Sequence, residues 1–205
     1  MTQTGSEFWE QRYLDTDPTW GTRPNAALVA LLGDLPATPG RSCELACGQG
    51  GDALWLAGLG WDVTAVDVSP TAVGRVRQAA AATGLTVTAI AADLAETAPP
   101  TGPFDLLHAS YFHSPVEIPR AAILRRAAAE VTVGGRLALV DHGSAAPWSW
   151  NQDAVFPTPA QVLAELDLGP GWTVERCENV PRVATGPDGE TATVQDTVLL
   201  LRRTA

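Results

Sequence analysis

The residues best placed to do chemistry begin with Glu44-Leu45-Ala46-Cys47-Gly48-Gln49-Gly50-Gly51, where glycines follow an apolar run and precede a helix-forming one. Glycines at such a hand-over let a ligand press against bare backbone. The same residues read equally as Gly48-x-Gly50-x-x-Ala53, a dinucleotide fingerprint, with Asp67, 17 residues past Gly50, as its ribose acid. Two further acids bear on the choice. Glu44 stands inside the motif, where a carboxylate would meet a cationic amino-acid tail but repel a pyrophosphate. Asp93, closing the next strand in Ala91-Ala92-Asp93-Leu94, offers an acceptor for an adenine amino group. These acids, with a C-terminal β-rich pair unlike continuing βαβ units, favour a sulfonium cofactor over a nicotinamide one.

On the acceptor side, His113 follows the fourth strand at the edge where open α/β sheets bind ligands, and His142 follows Asp141 at the end of the fifth. An imidazole there can act as general base for an acceptor that arrives protonated. His108 falls inside the fourth strand and reads as a packed core residue. Trp9, Trp20, Trp148 and Trp150 lie outside the strands, where they either pack loops onto the core or wall an aromatic or hydrophobic acceptor. Cys43, Cys47 and Cys177 form no CxxC pair and no metal-ligand spacing, so neither a disulfide framework nor a metal is expected. Cys47, with no evident base nearby in sequence, reads as structural.

The elements that must position these groups alternate between short apolar strands and alanine-rich helices, as parallel strands with crossover helices require. Strands are expected over 42–46, 62–67, 86–91, 104–109 and 136–141. Helices are expected after Gly50, from the Ser69-Pro70 start to about Ala82, over 120–131 with Gly134-Gly135 as its stop, and over 158–166. Runs over 172–180 and 193–201, joined through Gly186-Pro187-Asp188-Gly189, form a closing antiparallel pair. The expected fold is α/β and Rossmann-like: a doubly wound, mostly parallel seven-stranded sheet with a C-terminal antiparallel pair and helices on both faces. Residues 1–205 read as a single domain, with a helical cap over 1–35 and the core over 36–205.

Bulk properties prune the alternatives. A net charge of −10 repels phosphate backbones and anionic membranes, so a nucleic-acid partner is not expected. All 13 basic residues are arginine, which removes every lysine-dependent class at once: the phosphate-loop, Schiff-base and kinase-type enzymes. The N-terminal residues have neither a basic n-region nor an apolar h-region, and no uninterrupted apolar run reaches about 18 residues. A cytoplasmic location and no membrane partner are expected.

Taken together, the chain resembles the class I S-adenosylmethionine-dependent methyltransferases, specifically the small bacterial tellurite-resistance and thiopurine-methyltransferase group. Its glycine motif falls on Glu44 to Gly50, its ribose acid on Asp67 in Val66-Asp67-Val68-Ser69, its adenine acid on Asp93, and its fourth strand on Phe104-Asp105-Leu106-Leu107. Trp9-Glu10-x-Arg12-Tyr13 and Trp20-Gly21-x-x-Pro24-Asn25 are similar to that group's cap segment. The resemblance implies S-adenosyl-L-methionine as cofactor, held by Glu44, Ala46, Cys47, Gly48 and Gly50 of the loop. Asp67, Val68, Asp93 and Leu94 would join them from the strand ends, Tyr13 and Trp20 from the cap, and Ser110 from the fourth strand. Ala46 departs from the pattern, which has a glycine there. The implied activity is in-line methyl transfer to a small-molecule acceptor, with His113 and His142 as the catalytic candidates. A non-catalytic sensor of S-adenosylmethionine or its demethylated product, and a small NAD-dependent reductase, remain as alternatives.

Overall fold

The computed structural model describes residues 3–15, 21–33, 38–149 and 152–205. In chain order these form α1 (Gly5–Asp15), α2 (Ala26–Leu32), β1 (Arg41–Leu45), α3 (Gly51–Gly58), β2 (Asp62–Asp67), α4 (Pro70–Thr83) and β3 (Val87–Ala91). There follow β4 (Phe104–Ser110), α5 (Arg120–Ala128), β5 (Val131–His142), α6 (Pro159–Leu166), β6 (Trp172–Thr185) and β7 (Thr191–Arg203). The strands make one seven-stranded sheet in the order β3-β2-β1-β4-β5-β7-β6. Strands β1 to β5 pair in parallel and the β6–β7 hairpin adds antiparallel to β5. The expected Rossmann-like architecture is therefore the observed one.

Near-continuous apolar strands split by their period of two into two cores. Leu137, Leu139, Leu199 and Leu201 point to one face, packed under Ile123, Leu124 and Val162 of α5 and α6. Ala138, Val140, Val198 and Leu200 point to the other, beneath α2, α3 and α4. Helix starts follow local chemistry. Ser69 caps α4 by accepting from Ala72 N at 3.1 Å, with Pro70 in the first turn, and Thr158 and Gln161 form a capping box on α6.

Two expectations need correcting. The helix from Arg120 ends at Ala128 rather than running to 131, and Gly134-Gly135 lies inside β5 rather than closing that helix. The pairing jumps from Phe104 with Val131 to Leu106 with Arg136, so the glycines build a bulge. Gly134 has φ +91°, and a Cβ on Gly135 would sit 2.8 Å from Val131 and Thr132 side-chain atoms. The closing hairpin is also longer than expected, with 14 residues in β6 and 13 in β7, because pairing continues to Thr185 and Thr191 at the turn.

Candidate cofactor and acceptor site

The sheet order reverses between β1 and β4, and the crevice at such a switch point is where open α/β sheets take ligands. The loop leaving β1 there is wound through left-handed backbone: φ is +55° at Ala46, +53° at Gly48 and +83° at Gly50. Gly50 stands just before α3 with no side-chain cap on the helix, so first-turn amides lack a capping side chain. It also admits α4, since a Cβ on it would lie 2.8 Å from Val76 Cγ2. Ala46 takes the conformation that glycine adopts freely, at a cost of about 1 kcal/mol, and so keeps the loop's path without a glycine there.

Asp67, at the end of β2, fixes this loop. Its Oδ2 accepts from Gly48 N at 2.8 Å and its Oδ1 from Ser69 N at 2.9 Å. Burial pushes its carboxyl up to about 6 despite those bonds and one from Val68. Tyr13 of α1 is buried over the loop, its hydroxyl 2.8 Å from where a Cβ on Gly48 would lie. Burial, and then Asp67, Cys47 and Glu44, push the phenol up. Helix α1 is held there by Glu10, which accepts from Ser69 Oγ at 2.5 Å, Thr71 Oγ1 at 2.6 Å and Thr71 N at 3.1 Å. Cys47 is buried in the loop, its thiol raised by burial, which suits a packing residue and not a nucleophile.

Beside the loop lies a cluster of titratable side chains that the sequence reading only half found. Glu44 and Asp52 are buried, as is His108, and one donor atom from each lies within 4.8 Å of the others. Asp52 accepts from Asn25 N at 2.6 Å and from Ser110 Oγ at 2.7 Å. Burial, then the neighbouring Asp52, raises Glu44 well above the usual carboxylate range. Glu44 Oε2 has no hydrogen-bond partner, and neither does either His108 nitrogen. Two carboxylates and a neutral imidazole fit the ammonium of a methionyl tail, which brings the donors that Glu44 Oε2 lacks. His108 is packed, as expected, but not hydrogen-bonded.

At the end of β3, Asp93 Oδ1 accepts from Ala95 N at 2.9 Å in a short turn just past the strand, and Leu94 is buried against the core. Val68 is half-buried beside Asp67. Trp20 and Trp150 lie outside the described residues. Trp9 donates from Nε1 to Ser114 Oγ at 3.2 Å, tying α1 to the segment after β4, and Trp148 is half-buried in the segment after β5.

The ends of β4 and β5 carry the acceptor-side groups. His113 Nε2 is buried 3.1 Å from Asp141 Oδ1, at an angle short of a full hydrogen bond and with no other partner. Arg120 Nη2 lies 2.7 Å from each oxygen of Asp141, and Arg120 Nε donates to Phe112 O at 2.7 Å. Burial alone would raise Asp141, but His113 and Arg120 outweigh it and hold the carboxyl low. His142 stacks on Tyr111 with ring centroids 4.0 Å apart and 10° between planes, and meets the edge of Phe156 at 6.0 Å. Burial, then His113, lowers the His142 imidazole. Tyr111, at φ +54°, donates to Asp196 Oδ2 at 3.1 Å, and Arg182 Nε donates to the same oxygen at 2.6 Å.

Sequence reasoning thus found both histidines but missed Arg120, Tyr111, Asp196 and Asp52, and had Asn25 only as part of a cap motif. The Asp141-His142 pair at a strand end was the visible signal. Arg120, Tyr111 and Asp196 come from segments with no motif.

Residues 43–135, spanning β1 to the bulge of β5, match the family model described as a methyltransferase domain. The cofactor that goes with this domain and fold is S-adenosylmethionine. No protein of curated function matches the chain. A solved structure from work on conversion of a disulfide bond into a thioacetal group during echinomycin biosynthesis is 27% identical, with 97% of this chain and 92% of that one covered and a TM-score of 0.75. The N-methyltransferase NodS from Bradyrhizobium japonicum WM9, in complex with S-adenosyl-l-homocysteine, shares the fold at 18% identity, 98% and 100% coverage and a TM-score of 0.70. TehB from Haemophilus influenzae shares it at 17% identity, 98% and 67% coverage and a TM-score of 0.68. The matched segment contains the glycine loop, Asp67, Asp93, His108 and His113, while Asp141, His142 and Tyr13 lie outside it. Among the described residues, no helix is long and apolar enough to cross a membrane.

Proposed function

We propose that the chain transfers a methyl group from S-adenosylmethionine to a small-molecule acceptor, as a member of the small tellurite-resistance and thiopurine-methyltransferase-like group. The reading takes 1–205 as one domain, with 1–35 a helical cap over a 36–205 core. It places the protein in the cytoplasm, acting on neither nucleic acid nor membrane. The observation that carries it is the meeting, at one sheet edge, of the Asp67-anchored glycine loop with the His113, His142 and Tyr111 face.

In this reading Glu44 meets the methionyl ammonium, Asp67 the ribose hydroxyls and Asp93 the adenine amino group. Ala46, Cys47, Gly48 and Gly50 supply backbone, and Val68, Leu94, Ser110, Tyr13 and Trp20 complete the pocket. Bound S-adenosylmethionine supplies an activated methyl, whose carbon–sulfur pair departs with sulfur as the acceptor's pair takes its place. The protein orients the acceptor and excludes water, with Trp9, Tyr13 and Phe156 offering aromatic walls. His113 and His142 stand where an acceptor proton would be taken. Sulfur acceptors belong in any substrate panel, given the disulfide chemistry of the 27% identical relative.

The test is titration calorimetry with S-adenosylmethionine and S-adenosylhomocysteine on the wild type and Asp67→Ala, with NAD as control. Micromolar-range binding lost in the variant supports the proposal. Preference for NAD would restore the reductase. Cofactor binding without turnover across a broad acceptor panel would favour the sensor.

A further inference from the structure

The two histidines of the acceptor face are not equivalent. His142 is held between the Tyr111 ring and the edge of Phe156, a packing that suits it to walling the site. His113 is half-exposed, and its buried Nε2 faces a carboxylate that Arg120 holds at both oxygens. Asp141 is itself buried and ionised, so it can only accept. For a neutral imidazole, pairing with this carboxylate puts the proton on Nε2 and leaves the lone pair on Nδ1. A buried carboxylate that fixes an imidazole's tautomer is the orienting device of an acid–base pair. The rings of His113 and His142 are 6.4 Å apart and near parallel, so the His113 imidazole shares the face of the aromatic wall.

We infer that His113 is the general base of this site, that Asp141 and Arg120 are its positioning residues, and that the acceptor class is one whose attacking atom arrives protonated: a phenol, an alcohol or an ammonium. This rests on the methyl-transfer reading. The acceptor's proton passes to Nδ1, and the electron pair freed on the acceptor forms its bond to the methyl carbon as the carbon–sulfur bond of the sulfonium breaks and its pair leaves on sulfur. His113 then holds an extra proton beside Asp141 until solvent removes it. An acceptor with a ready lone pair, such as a thioether, has no use for this arrangement.

The first measurement needs neither cofactor nor turnover. Long-range 1H–15N correlation spectra of the histidine-labelled chain report which nitrogen of His113 carries the proton. The expected wild-type result is the Nε2–H tautomer. In Asp141→Asn, Arg120 captures the amide oxygen and the amide nitrogen turns to His113, so the tautomer switches to Nδ1–H. A wild-type Nδ1–H tautomer, or no change in Asp141→Asn, overturns the assignment.

Activity supplies the second arm, over a panel of phenols, amines and thioethers. His113→Gln and Asp141→Asn should lower kcat for phenols and amines by about a hundred-fold or more, leaving calorimetric affinity for S-adenosylhomocysteine unchanged. Wild-type turnover confined to thioethers, or equal losses on all classes, overturns the acceptor class. A wild type that binds no S-adenosylhomocysteine defeats the methyl-transfer reading instead, while the tautomer still decides the His113–Asp141 pairing.

Discussion

Glu44 of β1 and His108 of β4 are register partners, and neither Glu44 Oε2 nor either nitrogen of His108 has a hydrogen-bond partner. Burial alone pushes the imidazole down to about 3, so it sits neutral and unpaired in the sheet. An unsatisfied buried polar group costs about 1–3 kcal/mol, and leucine fills a similar volume without that cost.

His108→Leu is therefore expected to leave stability unchanged or raise it by about 1 kcal/mol at pH 7, a gain of roughly 2–4 °C in Tm for a domain of this size. Because the folded imidazole is depressed below its ordinary value, its contribution is fully present above about 6.5 and is lost as pH falls toward 3. The acid limb of the stability profile should accordingly be shallower in the variant. Thermal scans from pH 4 to 8 decide this. A fall of several degrees at pH 7 would mean that the imidazole has a partner.

Asp67 gives the opposite sign. Its folded carboxyl is raised to about 6, so its contribution to stability is fully present below the ordinary value near 3.8 and lost as pH rises through 6. Cofactor binding runs the other way, since ribose hydroxyls donate to the ionised carboxylate. S-adenosylhomocysteine affinity is expected to weaken as pH falls from 7.5 to 5.5 in the wild type, and to lose that dependence in Asp67→Asn. Calorimetry at the two pH values measures both. Equal wild-type affinities would remove Asp67 from the ligand set.

Most of the fold was legible because its determinants are local. Apolar runs of period two, the Ser69-Pro70 start and the 186–189 turn each act within a few residues of themselves. The Gly134-Gly135 pair misled because glycine serves a helix stop and a strand bulge alike, and only the crowding by Val131, Thr132 and Asp105 selects the bulge. The cofactor side was legible for the same local reason: loop and acids follow one another along the chain. The acceptor side was not, since Asp141 meets Arg120 across 21 residues and Tyr111 meets Asp196 across 85. Such partners are chosen by the sheet order, which brings the ends of β4, β5 and β7 together.

Glu10 is a third test, on the cap. It accepts three hydrogen bonds from Ser69 and Thr71 at the start of α4, and these hold its carboxyl low against the effect of burial. A depressed acid lends stability above its ordinary value and loses it as pH falls, so the tether releases on acidification. Glu10→Ala should cost about 1–2 kcal/mol, and hydrogen exchange in α1 should rise around Tyr13 more than in the sheet. Unchanged α1 protection would show that Trp9 and Tyr13 packing alone secures the helix.

The last test concerns what supports the acceptor face from below. Asp196 is fully buried on β7 and takes bonds from both Arg182 and the Tyr111 hydroxyl. Removing it strands a partly buried guanidinium, the costly half of breaking such a pair, at about 3–5 kcal/mol. Tyr111→Phe removes one neutral donor and leaves the pair intact, so it should cost only about 1 kcal/mol. Asp196→Ala should then lower the urea midpoint several times more than Tyr111→Phe, with m unchanged. It should also free the Tyr111–His142 stack, because Tyr111 sits at φ +54° and a hydrogen bond from its hydroxyl helps hold it there. Equal costs for the two substitutions would mean that the hydroxyl bond, rather than the ion pair, carries the stability.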